Sequence, residues 1–243
     1  MEVIWIAVGA FVFLGFTLEA ITGFGGTVIA LAMGAQLLPI QTLVPILVPL
    51  SVCLGIVMVW RHRGHIDRPL LLQVVLPGML TGTAVGYAIK PWLNESLMRE
   101  LFGLLIVWFA GRELWRMHFA STVQSRPLWL TMGITGMAGI THGLFASGGP
   151  LLVYALSGLA LNKASFRITL IMVWLILDGM LMAAFWFDGR LLPALPLVAV
   201  YLPVIGIGVW VGEWLHHRVS EERFRVAIYG LLLITGILLA WPR

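Results

Sequence analysis

Leu18-Glu19-Ala20-Ile21-Thr22-Gly23-Phe24-Gly25-Gly26-Thr27 is the stretch on which the reading of this chain turns. It places three glycines in four positions, one turn after a carboxylate, inside an otherwise unbroken apolar run. Glycine destabilises a helix interior by about 1 kcal/mol relative to alanine, so the cluster marks a break in the helix. A weaker copy follows at Gly139-Ile140-Thr141-His142-Gly143-Leu144-Phe145-Ala146-Ser147-Gly148-Gly149-Pro150. Unwound backbone at membrane depth survives only where protein or a water-filled cavity solvates it. Paired breaks at corresponding places in two halves are the sequence signature of a transporter's binding site.

Composition sets the surroundings of that stretch. Of 243 residues, 60% are hydrophobic and 11% charged, whereas a soluble domain carries about 25% charged residues. The mean hydropathy of +0.99 and the long continuous apolar runs predict an all-α polytopic membrane protein in one transport domain, 1–243. Alternating strands of about ten residues, the mark of a membrane β-barrel, are missing. The net charge of +4 reads as cytoplasmic loops, not as a nucleic-acid surface. Cys53 is the single cysteine, which excludes an internal disulfide. Glu2 stands where a cleavable signal has basic residues.

Apolar segments are expected at 2–22, 25–38, 42–60, 70–90 and 98–117, then 128–142, 145–161, 165–187, 191–212 and 223–241. Tryptophans near their ends (Trp5, Trp60, Trp92, Trp115, Trp129, Trp186, Trp214, Trp241) fit an interfacial belt. Pro77, Gly82 and Gly86 recur 126 residues later as Pro203, Gly208 and Gly212, as do Glu95 and Arg99 as Glu221 and Arg225. Gly25-Gly26 recurs as Gly148-Gly149 at an offset of 123. These matches predict a duplication, with a first repeat over 1–120 and a second over 127–243.

Charge decides the orientation of the repeats. If each broken element is one kinked span, eight Arg face seven Lys and Arg across the membrane, which is no bias. If each is a hairpin or a re-entrant loop, Arg61, Arg63, Arg68, Arg112, Arg116, Arg126, Lys163, Arg167, Arg218, Arg223 and Arg225 share one side against Lys90, Arg99, Arg190 and Arg243. The positive-inside rule then predicts inverted 5+5 repeats, each starting with a Gly-broken helical hairpin, with both termini outside.

A helix N-terminus presents unpaired N–H groups and about half a positive charge, which suits a small anion. The helices that start near Thr27 and Leu151 would aim such ends at the glycine tips. The candidate binding residues are therefore Thr22, Gly23, Phe24, Gly25, Gly26 and Thr27, with His142, Ser147, Gly148 and Gly149 from the second copy. Single glycines such as Gly78, Gly82, Gly206 and Gly208 read instead as helix-packing positions. Glu19 and Asp178 are the acids deepest in apolar runs, and an ionised acid there costs at least about 2.5–3.5 kcal/mol, so both are candidate proton carriers. Arg167, just inside its segment, is either an oxyanion ligand or an interfacial cation. His216-His217 lack the convergent ligands of a metal site, and neither metal nor cofactor is expected.

The chain resembles the TauE/SafE family. The resemblance rests on Gly23-Phe24-Gly25-Gly26, on Ser147-Gly148-Gly149-Pro150-Leu151, on Lys163-Ala164-Ser165-Phe166-Arg167 and on the short basic loop Arg63-Gly64-His65-Ile66-Asp67. It spans essentially the whole chain, and the first copy differs from the family tendency in carrying Thr27-Val28 after its glycines. It implies a secondary transporter that exports small inorganic or organic sulfur anions such as sulfite or organosulfonates, in a bacterial inner membrane, working as a monomer or homodimer. A passive small-anion channel is the nearest alternative. An intramembrane serine hydrolase built on Ser147 would need His142 as its base, folded back across the turn.

Overall fold

The computed structural model describes residues 2–119, 127–156, 162–216 and 221–241. Arg126, His217, Arg218 and Arg243 lie outside the described residues, as do the side chains of His216 and of 221–225. The described chain is all helical and contains no strand. Its helices are α1 (Glu2–Thr22), α2 (Gly26–Gly34), α3 (Ile40–His62), α4 (Leu76–Ile89) and α5 (Glu95–Phe119). They continue as α6 (Leu128–Phe145), α7 (Gly149–Leu156), α8 (Lys163–Phe187), α9 (Leu191–His216) and α10 (Glu221–Ala240). Five segments are long and apolar enough to cross a membrane: Glu2–Thr22, Ile40–His65, Leu70–Trp92, Lys163–Phe187 and Leu191–Leu215.

The expected segments map onto these helices one for one, with shorter pieces at the breaks. Residues 25–38 were expected as one run, but α2 stops at Gly34 because Pro39 caps α3 and holds the residue before it out of the helical region. Asn162 starts α8, its Oδ1 accepting from the Ser165 N–H at 2.8 Å, and so explains the Lys163–Arg167 stretch as a helix entry. Trp60, Trp92, Trp115, Trp129, Trp186, Trp214 and Trp241 are exposed, as a belt at the bilayer surface requires.

Small residues seat the helices on one another. Gly78 abuts Thr135, Gly82 abuts Gly136 and Gly139, and Gly86 abuts Ile140, so α4 and α6 run side by side in one direction. Gly208 and Gly212 abut Thr17 in the same way, pairing α9 with α1. Gly103 against Gly236 and Ala240 closes α5 on α10. Lipid tails give no hydrophobic drive between helices, so backbone approach through glycine is how such pairs gain contact. Gly206 has open space beside it and does not serve that role.

Polar contacts define two ends of the bundle. At one, Arg61 and His62 of α3 meet Glu213 of α9 at 2.9 and 3.2 Å. The start of α8 joins them, with Arg167 Nη2 3.9 Å from Met58 Sδ and Asp67 N–H donating to Thr169 Oγ1 at 2.9 Å. At the other end Tyr87 and Arg190 hold Asp188, and Glu95 Oε1 accepts from the N–H of Ile40 at 2.8 Å.

Candidate functional site

Both glycine clusters are breaks between helices. At the first, α1 ends at Thr22, Gly23 takes φ +87° and Gly25 takes φ +100° to start α2. At the second, α6 ends at Phe145 and Ala146 takes φ +53°, its N–H donating to His142 O at 2.6 Å. Gly23 and Ala146 are 123 residues apart, the offset of the paired Gly25-Gly26 and Gly148-Gly149. The same left-handed turn thus closes α1 and α6.

The two breaks line one cavity, walled mostly by buried residues. The first contributes Glu19, Gly25, Thr27 and Val28, and the second contributes Ala146, Ser147, Gly148 and Gly149. Ser51 from the middle of α3 and Trp174 and Asp178 from α8 complete the wall. Phe24 packs directly against Gly149, and Trp174 Nε1 donates to Gly23 O at 3.0 Å, so the breaks are locked to each other.

Glu19 is buried, and its carboxylate lies against Gly26, where a Cβ would collide with it. That places it at the N-terminus of α2, and Asp178 lines the same cavity. The N-terminus of α2, expected to be open to an anion, is therefore covered by the chain's own acid. His142 Nε2 lies 3.3 Å from Asp178 Oδ1, within ion-pair distance, yet neither atom is aligned for a hydrogen bond. The imidazole stacks on Trp174 with ring centres 5.6 Å apart. Ser147 Oγ is buried without a hydrogen-bond partner.

Seven of the sequence candidates line the cavity: Glu19, Gly25, Thr27, Ser147, Gly148, Gly149 and Asp178. The others stand around it. The Thr22 hydroxyl is within hydrogen-bond reach of the backbone at Leu18 O (3.0 Å) and Phe24 O (2.8 Å), which shapes the turn. Gly23 packs on the backbone of Arg167, and Phe24 meets Phe109 edge to face at 6.3 Å. Gly26 makes room for Glu19, and His142 reaches the cavity through Asp178. Arg167 points its guanidinium at Met58, away from the cavity lining.

Ser51 and Trp174 escaped the sequence reading. A serine flanked by apolar residues two positions after Pro49, and a tryptophan deep inside a segment and not at its end, were the available signals. For a hydrolase, no hydrogen bond joins Ser147 Oγ to His142, the contact that activates a serine nucleophile.

Comparison with known proteins gives the family. The family described as Sulfite exporter TauE/SafE matches residues 7–239. A relative from Comamonas testosteroni, named "Probable inner membrane transporter protein TsaS", is 26% identical over 180 residues, covering 73% of this chain and 71% of that one. No solved structure matches. Helices that cross a membrane, two breaks sharing one polar cavity and a profile match over nearly the whole length lead to one conclusion: the chain belongs to the TauE/SafE family of membrane transporters.

Proposed function

We propose that this protein is a secondary transporter that exports a small sulfur oxyanion, sulfite or an organosulfonate, across a bacterial inner membrane. The observation that carries the reading is the convergence of both helix breaks on one cavity that also holds Glu19, Ser147 and Asp178. The substrate class comes from the family description and the membrane from the printed name of the relative. Ser147 Oγ supplies an unused hydrogen-bond donor, the glycines let an anion approach the backbone, and Glu19 and Asp178 are placed to carry the coupling proton.

Alternating access follows from an inverted duplication over 1–120 and 127–243. Equivalent helices find equivalent partners: α1 lies along α9 as α6 lies along α4, α3 meets α8, and α5 meets α10. Arg61 and Met58 at the end of α3 sit beside Glu213 and Arg167 at the end of α9 and the start of α8, so α3 and α8 run in opposite directions. Two such halves rocking about a shared cavity expose it to each side in turn. Arg61, Arg63, Arg68, Lys163 and Arg167 lie at the cytoplasmic end, which leaves both termini outside.

Purified protein in proteoliposomes, given sulfite, sulfate and small organosulfonates under an imposed pH gradient, tests the proposal. Saturable, gradient-dependent flux of one sulfur anion is the expected result. Non-saturating flux would make the protein a passive channel, and no flux of any sulfur anion by folded protein would remove the substrate class.

A further inference from the structure

We infer that Glu19 is a tethered anion seated on the N-terminus of α2, and that the transported anion docks instead on the N-terminus of α7, entering together with a proton. The inference rests on the proposed anion transport and adds to it which of the two breaks holds the substrate.

The two breaks share the left-handed residue that ends the first helix, Gly23 and Ala146, and differ in what lies beside the second helix. At α2 the Glu19 carboxylate lies against Gly26, the first residue of the helix. Glycine at 26 is what lets that carboxylate in, since a Cβ there would collide with it. At α7 the residue in the matching position, 123 further on, is His142. Its side chain packs on Gly148 and lies beside Asp178, so the position that carries a carboxylate at α2 carries an imidazole at α7. Pro150 has no N–H, so Gly149 and Leu151 supply the first-turn donors of α7 that have no partner within the helix, and Ser147 Oγ is buried, unpartnered and part of the cavity wall. The α7 end therefore offers hydrogen-bond donors to an oxyanion, whereas the α2 end faces the chain's own carboxylate.

Charge explains the proton. Glu19 and Asp178 share the cavity wall, so an incoming anion makes a third acid in one small space. The groups that face Glu19 offer little to offset it: backbone N–H from α2, Ser51 from α3, and Asp178 from α8 with His142 behind it. From α9, Gly212 packs on Thr17 and Ala20, while Glu213 is turned to Arg61 and His62. A proton on Glu19 removes one negative charge and weakens its hold on the α2 terminus in the same step. No covalent bond changes.

Calorimetric titration of the full-length protein in detergent with methanesulfonate tests this. That sulfonate stays charged throughout the working pH range, so any pH dependence belongs to the protein. Wild type is expected to lose affinity as pH rises, with one proton taken up per anion when buffers of different ionisation enthalpy are compared. Ser147→Ala should weaken binding about tenfold, the usual cost of one lost hydrogen bond to a charged group. Glu19→Gln should bind at least as tightly as wild type and keep its affinity as pH rises. Weakened binding in folded Glu19→Gln, unchanged binding in Ser147→Ala, or absence of proton uptake by wild type each overturns the inference. Should Glu19→Gln not fold, proton uptake by wild type still decides. If methanesulfonate fails but nitrate binds with this same pattern, the sulfur-anion reading falls and the tethered-anion inference stands. Binding of neither anion by wild type or Glu19→Gln overturns both.

Discussion

His142 Nε2 and Asp178 Oδ1 lie 3.3 Å apart, with neither side chain more than 2% exposed. The pair joins α6, just before the second break, to the middle of α8, where Asp178 also faces the cavity. Trp174, one turn earlier on α8, stacks on the same imidazole. One helix thus holds the second break through His142 and the first through the Trp174 bond to Gly23 O. At ion-pair distance and away from water the two groups act on each other through charge, so the loss of either leaves the other a buried group without its counterpart.

That dependence is measurable. His142→Asn and Asp178→Asn should each lower stability by about 1–3 kcal/mol, the range for orphaning a buried polar group. The double variant should lose less than the sum, with a coupling of about 0.5–3 kcal/mol. Thermal melts of the four proteins in detergent provide the cycle, and strictly additive losses would show that the two residues do not interact.

Ala146 supplies a prediction of the opposite sign. Its φ of +53° lies in the left-handed region, which a Cβ makes unfavourable by roughly 1–2 kcal/mol. Glycine already occupies the matching place at Gly23. Ala146→Gly should therefore raise stability by up to about 1 kcal/mol, somewhat less than the strain because glycine is freer in the unfolded chain. Gly23→Ala should destabilise strongly, since its Cβ would run into the backbone of Arg167. A lower melting temperature for Ala146→Gly would contradict this reading of the break.

Much of this architecture was legible because the signals were local. Gly23, Gly25 and the Gly148-Gly149 pair interrupt apolar runs, and a helix break needs no knowledge of tertiary structure to be seen. The packing role of Gly82 and Gly208 followed from residue size alone. What stayed hidden was direction: nothing near Glu19 in sequence says that its carboxylate turns onto Gly26, nor that Arg167 turns to Met58 and away from the cavity. Ser51 lies 24 residues after Thr27 and Trp174 lies 25 after Gly149, separations that carry no contact information; their place beside the breaks is set by how α3 and α8 cross. The inverted repeat was an expectation from charge, a property summed over many loops, and charge carries no information on side-chain aim.

At the end of the bundle away from Arg167, Asp188 is held by hydrogen bonds from Arg190 and Tyr87, which keep its carboxyl below the ordinary aspartate range. A depressed value in the folded state means stabilisation that is present above the unfolded aspartate value and is lost as pH falls through the folded one. Acid should therefore loosen the contact between α4 and the α8–α9 turn. Asp188→Asn should flatten this part of the stability profile in the acid range while leaving neutral-pH anion binding unchanged. Melting temperature against pH for both proteins checks it, and parallel curves would assign the acid sensitivity elsewhere.

Trp174→Phe separates packing from hydrogen bonding at the cavity. Phenylalanine keeps an aromatic face for His142 but removes the indole N–H that donates to Gly23 O. Gly23 O would then be a buried acceptor without that donor, at a cost of about 1–3 kcal/mol. The smaller ring also leaves space beside Gly149, which Trp174 now approaches. The first break should loosen with respect to α8, and because that break carries the Glu19 seat, transport should fall by about tenfold or more even in protein that remains folded. Flux in proteoliposomes, set beside the melting temperature, is the measurement. A loss of stability with full transport would mean that the Trp174 bond only holds the fold, and that the relative position of the two breaks does not control the passage of the anion.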